Sequence, residues 1–170
     1  RYMQALVTGG SSKFGASLVS ELAKTYDVTV IPRDELGTFT FVQHTPWKYD
    51  LIFFNHHFMP EGFDQASYHM NCLVPIDILS NNKASKVGWM VSSGIGAKDH
   101  PEYAPYFAYK SMNVHIMRYY AHLWPEIYFG VDPGHLIEGH YETPARQVVA
   151  LLDNVESGKV YTLNGSVSGL

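Results

Sequence analysis

Three residues that could share one proton-transfer reaction stand close together in the middle of this 170-residue chain. Tyr106 lies thirteen positions after Ser93, and Lys110 lies four positions after Tyr106. Residues four apart share one face of a helix, so the phenol and the ammonium are predicted to point into one pocket. A lysine about 4 Å away could lower the tyrosine pKa from about 10 to about 7, which takes roughly 4 kcal/mol, at an effective dielectric constant near 20. The spacing therefore predicts a tyrosine that exchanges protons near neutral pH.

These residues are predicted to be held by alternating strands and helices. This alternation is typical of an α/β fold, Rossmann-like and doubly wound, with a mainly parallel sheet of about six to seven strands and helices on both faces. Ligands of such sheets bind outside the carboxyl ends of the strands, and Ser93 follows one of the predicted strands directly. Strands are predicted at 3–7, 28–31, 38–42, 51–54, 87–91, 127–131 and 159–163, and helices at 15–24, 63–79, 103–121 and 144–153.

Composition limits the classes of partner. The chain has a length typical of one domain, 1–170, and its 46% hydrophobic residues do not indicate disorder. Twelve basic against sixteen acidic side chains argue against nucleic acid as a partner. The single cysteine, Cys72, fits a reducing compartment. The apolar start is too short for a signal peptide or a membrane span, so we expect a cytoplasmic protein with no membrane contact.

A glycine-rich turn follows the first predicted strand. Residues 8–15 read Thr-Gly-Gly-Ser-Ser-Lys-Phe-Gly. Gly9 permits a tight turn, and Gly15 lets the next helix pack closely on the strand. The amino terminus of that helix offers free N–H groups and a positive dipole end. This segment is predicted to bind a pyrophosphate.

The motifs together resemble the short-chain dehydrogenase/reductase family over nearly the whole chain. The turn is similar to the family's Thr-Gly-x-x-x-Gly-x-Gly pattern, Asn55 matches one asparagine of its Asn-Asn-Ala-Gly segment, and 133–134 match its Pro-Gly. The family's catalytic tetrad is matched, in order and approximate spacing, by Asn71, Ser93, Tyr106 and Lys110. The resemblance implies an NAD(P)(H)-dependent oxidoreductase that acts on a small carbonyl or alcohol substrate.

The resemblance also implies a cofactor site. Lys13 stands at the middle glycine of the turn and could contact a phosphate, while His56 and His57 replace Ala-Gly. Only sixteen residues separate Arg33 from Asp50, so one or both helices between the second and fourth strands are expected to be missing. The implied cofactor-binding residues are Gly9, Ser11, Ser12, Lys13, Phe14, Gly15, Arg33, Asn55, His56, Tyr106, Lys110, Pro133 and Gly134.

Cofactor choice depends on the end of the second strand. Arg33 lies eighteen residues after Gly15, where relatives that prefer NAD commonly carry an aspartate. An arginine there accommodates a 2′-phosphate, which favours NADP(H). Asp34, the next residue, keeps NAD(H) as the alternative.

The family roles can be assigned residue by residue. Tyr106 would donate a proton to the carbonyl oxygen, Ser93 would polarise that oxygen, and Lys110 would lower the tyrosine pKa and bind the nicotinamide ribose. Ser92 is the competing serine. The main chain of Asn71 would hold a relay water, because Pro75 has no N–H to bond the carbonyl of residue 71.

Two other interpretations of the sequence, an enoyl-reductase site and a metal site, are less favoured. Tyr103 lies seven residues before Lys110, the spacing of divergent enoyl reductases, but those enzymes have methionine where this chain has Tyr106 and lack the Thr-Gly turn. A metal site is not expected, because the adjacent His56 and His57 side chains diverge and no ligand set accompanies them.

The segment that would cover the substrate is short. About ten residues separate Gly134 from Pro144, and Glu138 stands where the family tends to have a threonine. We expect an open or shallow substrate site. The alternative function is a dinucleotide-binding sensor or interaction protein with little turnover. The resemblance also implies a homodimer or homotetramer.

Overall fold

One sheet of seven strands organises the described part of the chain, and its strand order reverses beside the first strand. The computed structural model describes residues 2–36, 47–58, 62–92, 99–163 and 167–168. The strands are β1 Met3–Thr8, β2 Tyr26–Ile31, β3 Trp47–Phe54, β4 Asn82–Met90, β5 Ile127–Asp132, β6 Val160–Thr162 and β7 Val167–Ser168. They lie in the order β2-β1-β3-β4-β5-β6-β7, and all pairs are parallel except β6 with β7.

Helices cover both faces of this sheet. The described helices are α1 Lys13–Leu22, α2 Arg33–Leu36, α3 Gln65–Tyr68, α4 Val74–Asn81, α5 Ala104–Leu123 and α6 Glu142–Leu151, with a π-helical segment at His69–Leu73 and a 3₁₀ turn at Pro101–Tyr103. The helices α1 and α6 pack against each other on one face, and α5 packs with the π-helical segment on the other.

The core forms two layers, one on each side of the sheet. Leu18 and Val148 are buried in the layer under α1 and α6, whereas Ile78 and Met117 are buried in the opposite layer. Strands covered on both faces carry nearly continuous apolar runs, as the fully buried Leu51 and its neighbours in β3 show. The predicted Rossmann-like, doubly wound fold is confirmed.

Several boundaries differ from the predictions for local reasons. Helix α1 begins at Lys13 rather than at residue 15, because the side chain of Ser12 accepts the Gly15 N–H and caps the helix. Helix α6 begins at Glu142, since a proline is tolerated in the first turn. The short antiparallel β7 was not predicted. The predicted strand at 38–42 lies outside the described residues, and within the described part only α2 stands between β2 and β3.

The predicted helix at 63–79 is divided by a π-helical turn. The Val74 N–H bonds the carbonyl of His69, five residues earlier. In this register the next donor, to the carbonyl of Met70, would come from residue 75, which is a proline without an N–H. The prediction placed the released carbonyl at Asn71. In the structure the carbonyl of Met70 lacks this donor and bonds the ring of His56, and π-bulges are frequent at functional sites.

Candidate active site

A cleft of about 400 Å³ lies at the carboxyl ends of β1, β3, β4 and β5. This volume falls in the range of small-molecule sites. The cleft is lined by most of the residues that the sequence nominated for the cofactor and the proton transfer, namely Gly9, Ser11, Ser12, Phe14, Arg33, Asn55, His56, Tyr106, Lys110 and Pro133.

Other nominated residues lie around the cleft without lining it. Gly15 lies against the Gly9 carbonyl in the turn, and Lys13 pairs with Glu138. Asn71 bonds Phe58 in the loop after β3, and Gly134 follows Pro133, which lines the cleft. Ser93 lies outside the described residues. Sequence reasoning missed the lining residues Leu36, His57, Phe58, Met70, Met90, Val91 and Leu136. Most are apolar and carry no signal, but His57 is a polar residue beside a nominated one.

The glycine-rich turn is compact because two of its glycines touch backbone. Gly9 has a φ of 69°, which favours glycine, and a side chain there would meet the backbone of His56 at 2.7 Å. A Cβ on Gly15 would lie 1.9 Å from the carbonyl oxygen of Gly9. The sequence predicted that Gly15 packs on the strand, and the structure places the close approach at the turn itself.

Polar groups fix the same turn from both ends. The Ser12 hydroxyl donates to the Gly9 carbonyl at 3.0 Å, and the Asn55 side-chain amide donates to the same carbonyl at 3.1 Å. The first intrahelical bond runs from Ala16 N–H to the carbonyl of Ser12. The N–H groups of Lys13 and Phe14 therefore precede the helical ladder and remain for an anion at the helix amino terminus.

The side chain of Lys13 is paired with a residue of the loop after β5. It forms an ion pair with Glu138, in the loop that follows β5. Both side chains are largely exposed, at 70% and 76%, so solvent screens the pair and it contributes little stability. A phosphate bound at the turn could therefore replace Glu138 as the partner of the Lys13 ammonium, because breaking the exposed pair costs little free energy.

His56 ties β1 to the π-helical segment through a fully paired ring. Its Nδ1 lies 2.7 Å from the Thr8 hydroxyl oxygen, and its Nε2 lies 2.7 Å from the Met70 carbonyl oxygen. That hydroxyl oxygen already accepts the backbone N–H groups of Asn55 and His56, at 3.1 and 3.2 Å. Its own proton must then go to Nδ1, and Nε2–H donates to the carbonyl released by Pro75. The contacts thus assign the neutral Nε2–H tautomer.

Acid should destabilise the protein through this ring. Burial, and then the charge of Lys110, lower the pKa of His56 from 6.5 to about 4. The unfolded chain therefore takes up the proton first, so the stabilisation is complete above pH 6.5 and is lost as the pH falls towards 4. The difference corresponds to about 3 kcal/mol. We expect urea denaturation to show the stability gap between wild type and His56→Gln shrinking over this range.

The comparison with His56→Gln isolates the histidine from carboxylates that titrate at lower pH. The same variant made at the exposed His115 should keep the wild-type pH dependence. Parallel loss of stability in wild type and His56→Gln between pH 6.5 and 4.5 would contradict the assigned neutral ring.

Asn71 holds the loop that carries the histidines. Its side-chain amide donates to the carbonyl of Phe58 at 2.9 Å, and its side-chain oxygen accepts the Phe58 N–H at 3.0 Å. Asn71 is only 4% exposed. The two bonds fix the direction in which the chain leaves β3, and so position His56 and His57.

Tyr106 and Lys110 face the same cleft from one side of α5, as the spacing predicted. Lys110 is buried, its ammonium lies 6.0 Å from the centre of the Tyr106 ring, and it donates to the Met90 carbonyl at 3.0 Å. An ammonium has three N–H donors, so two of them remain for other partners.

The expected lowering of the tyrosine pKa is wrong for the ligand-free cleft. Burial and the nearby carboxylate of Asp132 raise the pKa of Tyr106. Burial lowers the pKa of Lys110 from 10.5 to about 8. The sequence indicated the proximity of the two groups but not their desolvation, and desolvation is the larger effect here. The phenol is therefore protonated at neutral pH, and its raised pKa makes it a weaker acid than the spacing predicted.

Within the described part of the chain, no group of three His, Cys, Asp or Glu side chains could hold a metal ion. None of the helices in those same ranges is long and apolar enough to cross a membrane.

Solved structures of low sequence identity share this fold. A short-chain dehydrogenase family protein from Francisella tularensis is 16% identical, with a TM-score of 0.72 over 95% of this chain and 97% of that chain. A short-chain dehydrogenase/reductase from Serratia marcescens is 18% identical, with a TM-score of 0.73 over 94% of both chains. The Bordetella bronchiseptica enzyme WbmF, in complex with NAD⁺, is 14% identical, with a TM-score of 0.75 over 98% of this chain and 74% of that chain.

These likenesses concern the fold. No protein-family model matches the chain, and no curated protein matches it by sequence. The chain has the fold of short-chain dehydrogenases/reductases, with its cleft at the carboxyl ends of the strands.

Proposed function

We propose that this chain is a short-chain dehydrogenase/reductase that transfers a hydride between NADP(H) or NAD(H) and a small carbonyl or alcohol. The observation that carries the proposal is that Arg33, the glycine-rich turn, Tyr106 and Lys110 all line one cleft. The fold shared with the NAD⁺ complex of WbmF supports the choice of a nicotinamide cofactor.

The residues present fit a dinucleotide. Arg33 lies at the carboxyl end of β2, the amino terminus of α1 lies beside it, and Lys110 lies across the cleft. The close backbone contacts of Gly9 and Gly15 keep the turn free of side chains where a pyrophosphate would approach. When bound, the nicotinamide would supply or accept the hydride.

The chain's own residues would handle the proton. Tyr106, protonated in the cleft, would donate its proton to the substrate oxygen, and Ser93 is proposed to polarise that oxygen. Lys110 would use the two donors left by its Met90 bond to hold ribose hydroxyls. Asn71 holds the loop through its side chain, and a relay water at its main chain remains a proposal.

Turnover separates an enzyme from a sensor. The purified protein, given NADPH or NADH and a panel of aldehydes and ketones, should oxidise the reduced cofactor in a substrate-dependent way. A protein that binds cofactor but shows no turnover on any carbonyl would favour the alternative, a dinucleotide-binding sensor. The raised pKa of Tyr106 and the bulk of the two histidines favour that alternative.

Arg33 should set the preference for NADP(H). A charge-assisted bond to a 2′-phosphate is worth about 1.5–3 kcal/mol, so Arg33→Ala should weaken NADPH binding by about tenfold to a hundredfold. NADH, which lacks the phosphate, should lose less than about threefold. Fluorescence titration of both cofactors measures this. Lys48→Ala, at the opposite end of the sheet, is the matched control, and equal losses for NADPH and NADH would contradict the assignment.

We also propose the assembly that the resemblance implies and the location that the sequence predicts. Large apolar side chains are exposed along α5 and just beyond it, and Tyr119 is 62% exposed. Met112, Leu123 and Trp124 extend the same exposed set. We propose that residues 1–170 form one domain that pairs through this helix into a homodimer or homotetramer in the cytoplasm.

A further inference from the structure

The ring of His57 lies against the proposed acid. Residue 57 follows β3 in the loop that Asn71 holds, and its imidazole packs edge-on to the Tyr106 ring with the ring centres 4.4 Å apart and an angle of 82°. His57 also lines the cleft. A molecule bound in the cleft against Tyr106 therefore lies near this imidazole.

Both ring nitrogens of His57 lack a hydrogen-bond partner within the described part of the chain. Nδ1 and Nε2 are buried, and neither has a hydrogen-bond partner among the described residues. The neighbouring His56 shows the contrast, since both of its nitrogens are paired. A buried polar group left unpaired costs about 1–3 kcal/mol, and such groups are rare in folded proteins. The unpaired ring is explained if its partner arrives with a ligand.

The state of the ring limits that ligand. Burial, and then the charge of Lys110, lower the pKa of His57 from 6.5 to about 3, so the imidazole is neutral. A neutral imidazole offers one donor and one acceptor. An anion accepts hydrogen bonds but donates none, so it could pair only with the N–H of this ring. A hydroxyl can accept from the N–H or donate to the other nitrogen, and hydroxyls are present on both molecules that the proposed function places in the cleft.

We propose that His57 is a ligand-binding residue, hydrogen-bonded with a hydroxyl group of the molecule that lies against Tyr106. The inference rests on the proposed function, which supplies two sources for the hydroxyl: the ribose of the nicotinamide cofactor, or the alcohol that is the substrate or product. The family pattern has glycine at this position, so the contact is a property of this chain.

Two substitutions at His57 test the hydrogen bond. His57→Phe keeps a ring but removes both nitrogens, and we expect about a tenfold loss in binding. His57→Gln, whose amide also donates and accepts, should restore most of that loss. The melting temperature of ligand-free His57→Phe should be equal to or above that of wild type, because phenylalanine needs no partner. A histidine with only a structural role would not combine weaker ligand binding with an unchanged or higher melting temperature. His115→Phe, on the exposed side of α5, is the control.

The readouts identify the source of the hydroxyl. A higher Kd for NADPH or NADH in His57→Phe assigns the ribose, whereas an unchanged Kd with a higher KM for the carbonyl or alcohol assigns the substrate. Binding and turnover of His57→Phe within about twofold of wild type would overturn the inference. Tighter cofactor binding in His57→Gly would also overturn it, since the ring would then only obstruct. A wild-type protein that binds neither cofactor overturns the proposed function itself, and this inference with it.

Discussion

Tyr106→Phe should lower kcat by about two to four orders of magnitude, the usual contribution of a positioned general acid. The substitution removes only the hydroxyl, so the ring should keep its contacts with His57 and Phe107. The affinity for NADPH should stay within about threefold of wild type, because the cofactor is held mainly by the glycine-rich turn and Lys110. Steady-state kinetics and fluorescence titration of the same preparation measure the two effects separately.

Tyr103→Phe is the matched control for this substitution. Tyr103 lies in the 3₁₀ turn before α5, seven residues before Lys110, and is 47% exposed. Its hydroxyl could be removed with little effect on kcat if Tyr106 is the acid. The reverse result, a large loss in Tyr103→Phe and none in Tyr106→Phe, would contradict the assignment and favour the enoyl-reductase spacing.

Gly15→Ala should disrupt the glycine-rich turn. Alanine is the better helix former by about 1 kcal/mol, so helix propensity alone would make this change stabilising. The added Cβ would lie 1.9 Å from the Gly9 carbonyl oxygen and 2.9 Å from the Asn55 amide nitrogen, and the backbone would have to move. Strain of this kind costs about 1–3 kcal/mol or more, so the clash outweighs the propensity. We expect a net loss of about 2 kcal/mol and loss of cofactor binding.

Urea denaturation followed by circular dichroism measures the free energy of unfolding of Gly15→Ala and of wild type. Gly62→Ala is the control, because a Cβ at that position meets nothing within 4 Å. The account of the turn would be contradicted if Gly15→Ala were as stable as Gly62→Ala and bound NADPH as tightly as wild type.

The parts of the fold that follow from local pattern were predictable. The apolar runs of β1, β3, β4 and β5, the turn after β1, and the shared face of Tyr106 and Lys110 all depend on residues close in sequence. A period of two or four residues and a glycine-rich interval carry that information directly.

The remaining features depend on residues far apart in the chain. The neutral tautomer of His56 requires Thr8, 48 residues away, and Met70, 14 residues away. The pKa of Tyr106 is raised by burial and by Asp132, neither of which the Tyr-x-x-x-Lys spacing contains. The π-helical turn also needed more than Pro75, because the sequence did not show that His56 would take the released carbonyl. Such features appear only once the sheet has brought these residues together.

Titration of the purified wild-type protein with NADPH and with NADH, followed by cofactor fluorescence, tests the central claim most directly. If the cleft beside Arg33, the glycine-rich turn and Lys110 holds a nicotinamide dinucleotide, at least one cofactor should bind with a Kd well below about 1 mM, the upper end of typical enzyme affinities, and NADPH should bind more tightly. Binding of neither cofactor below about 1 mM would contradict the claim.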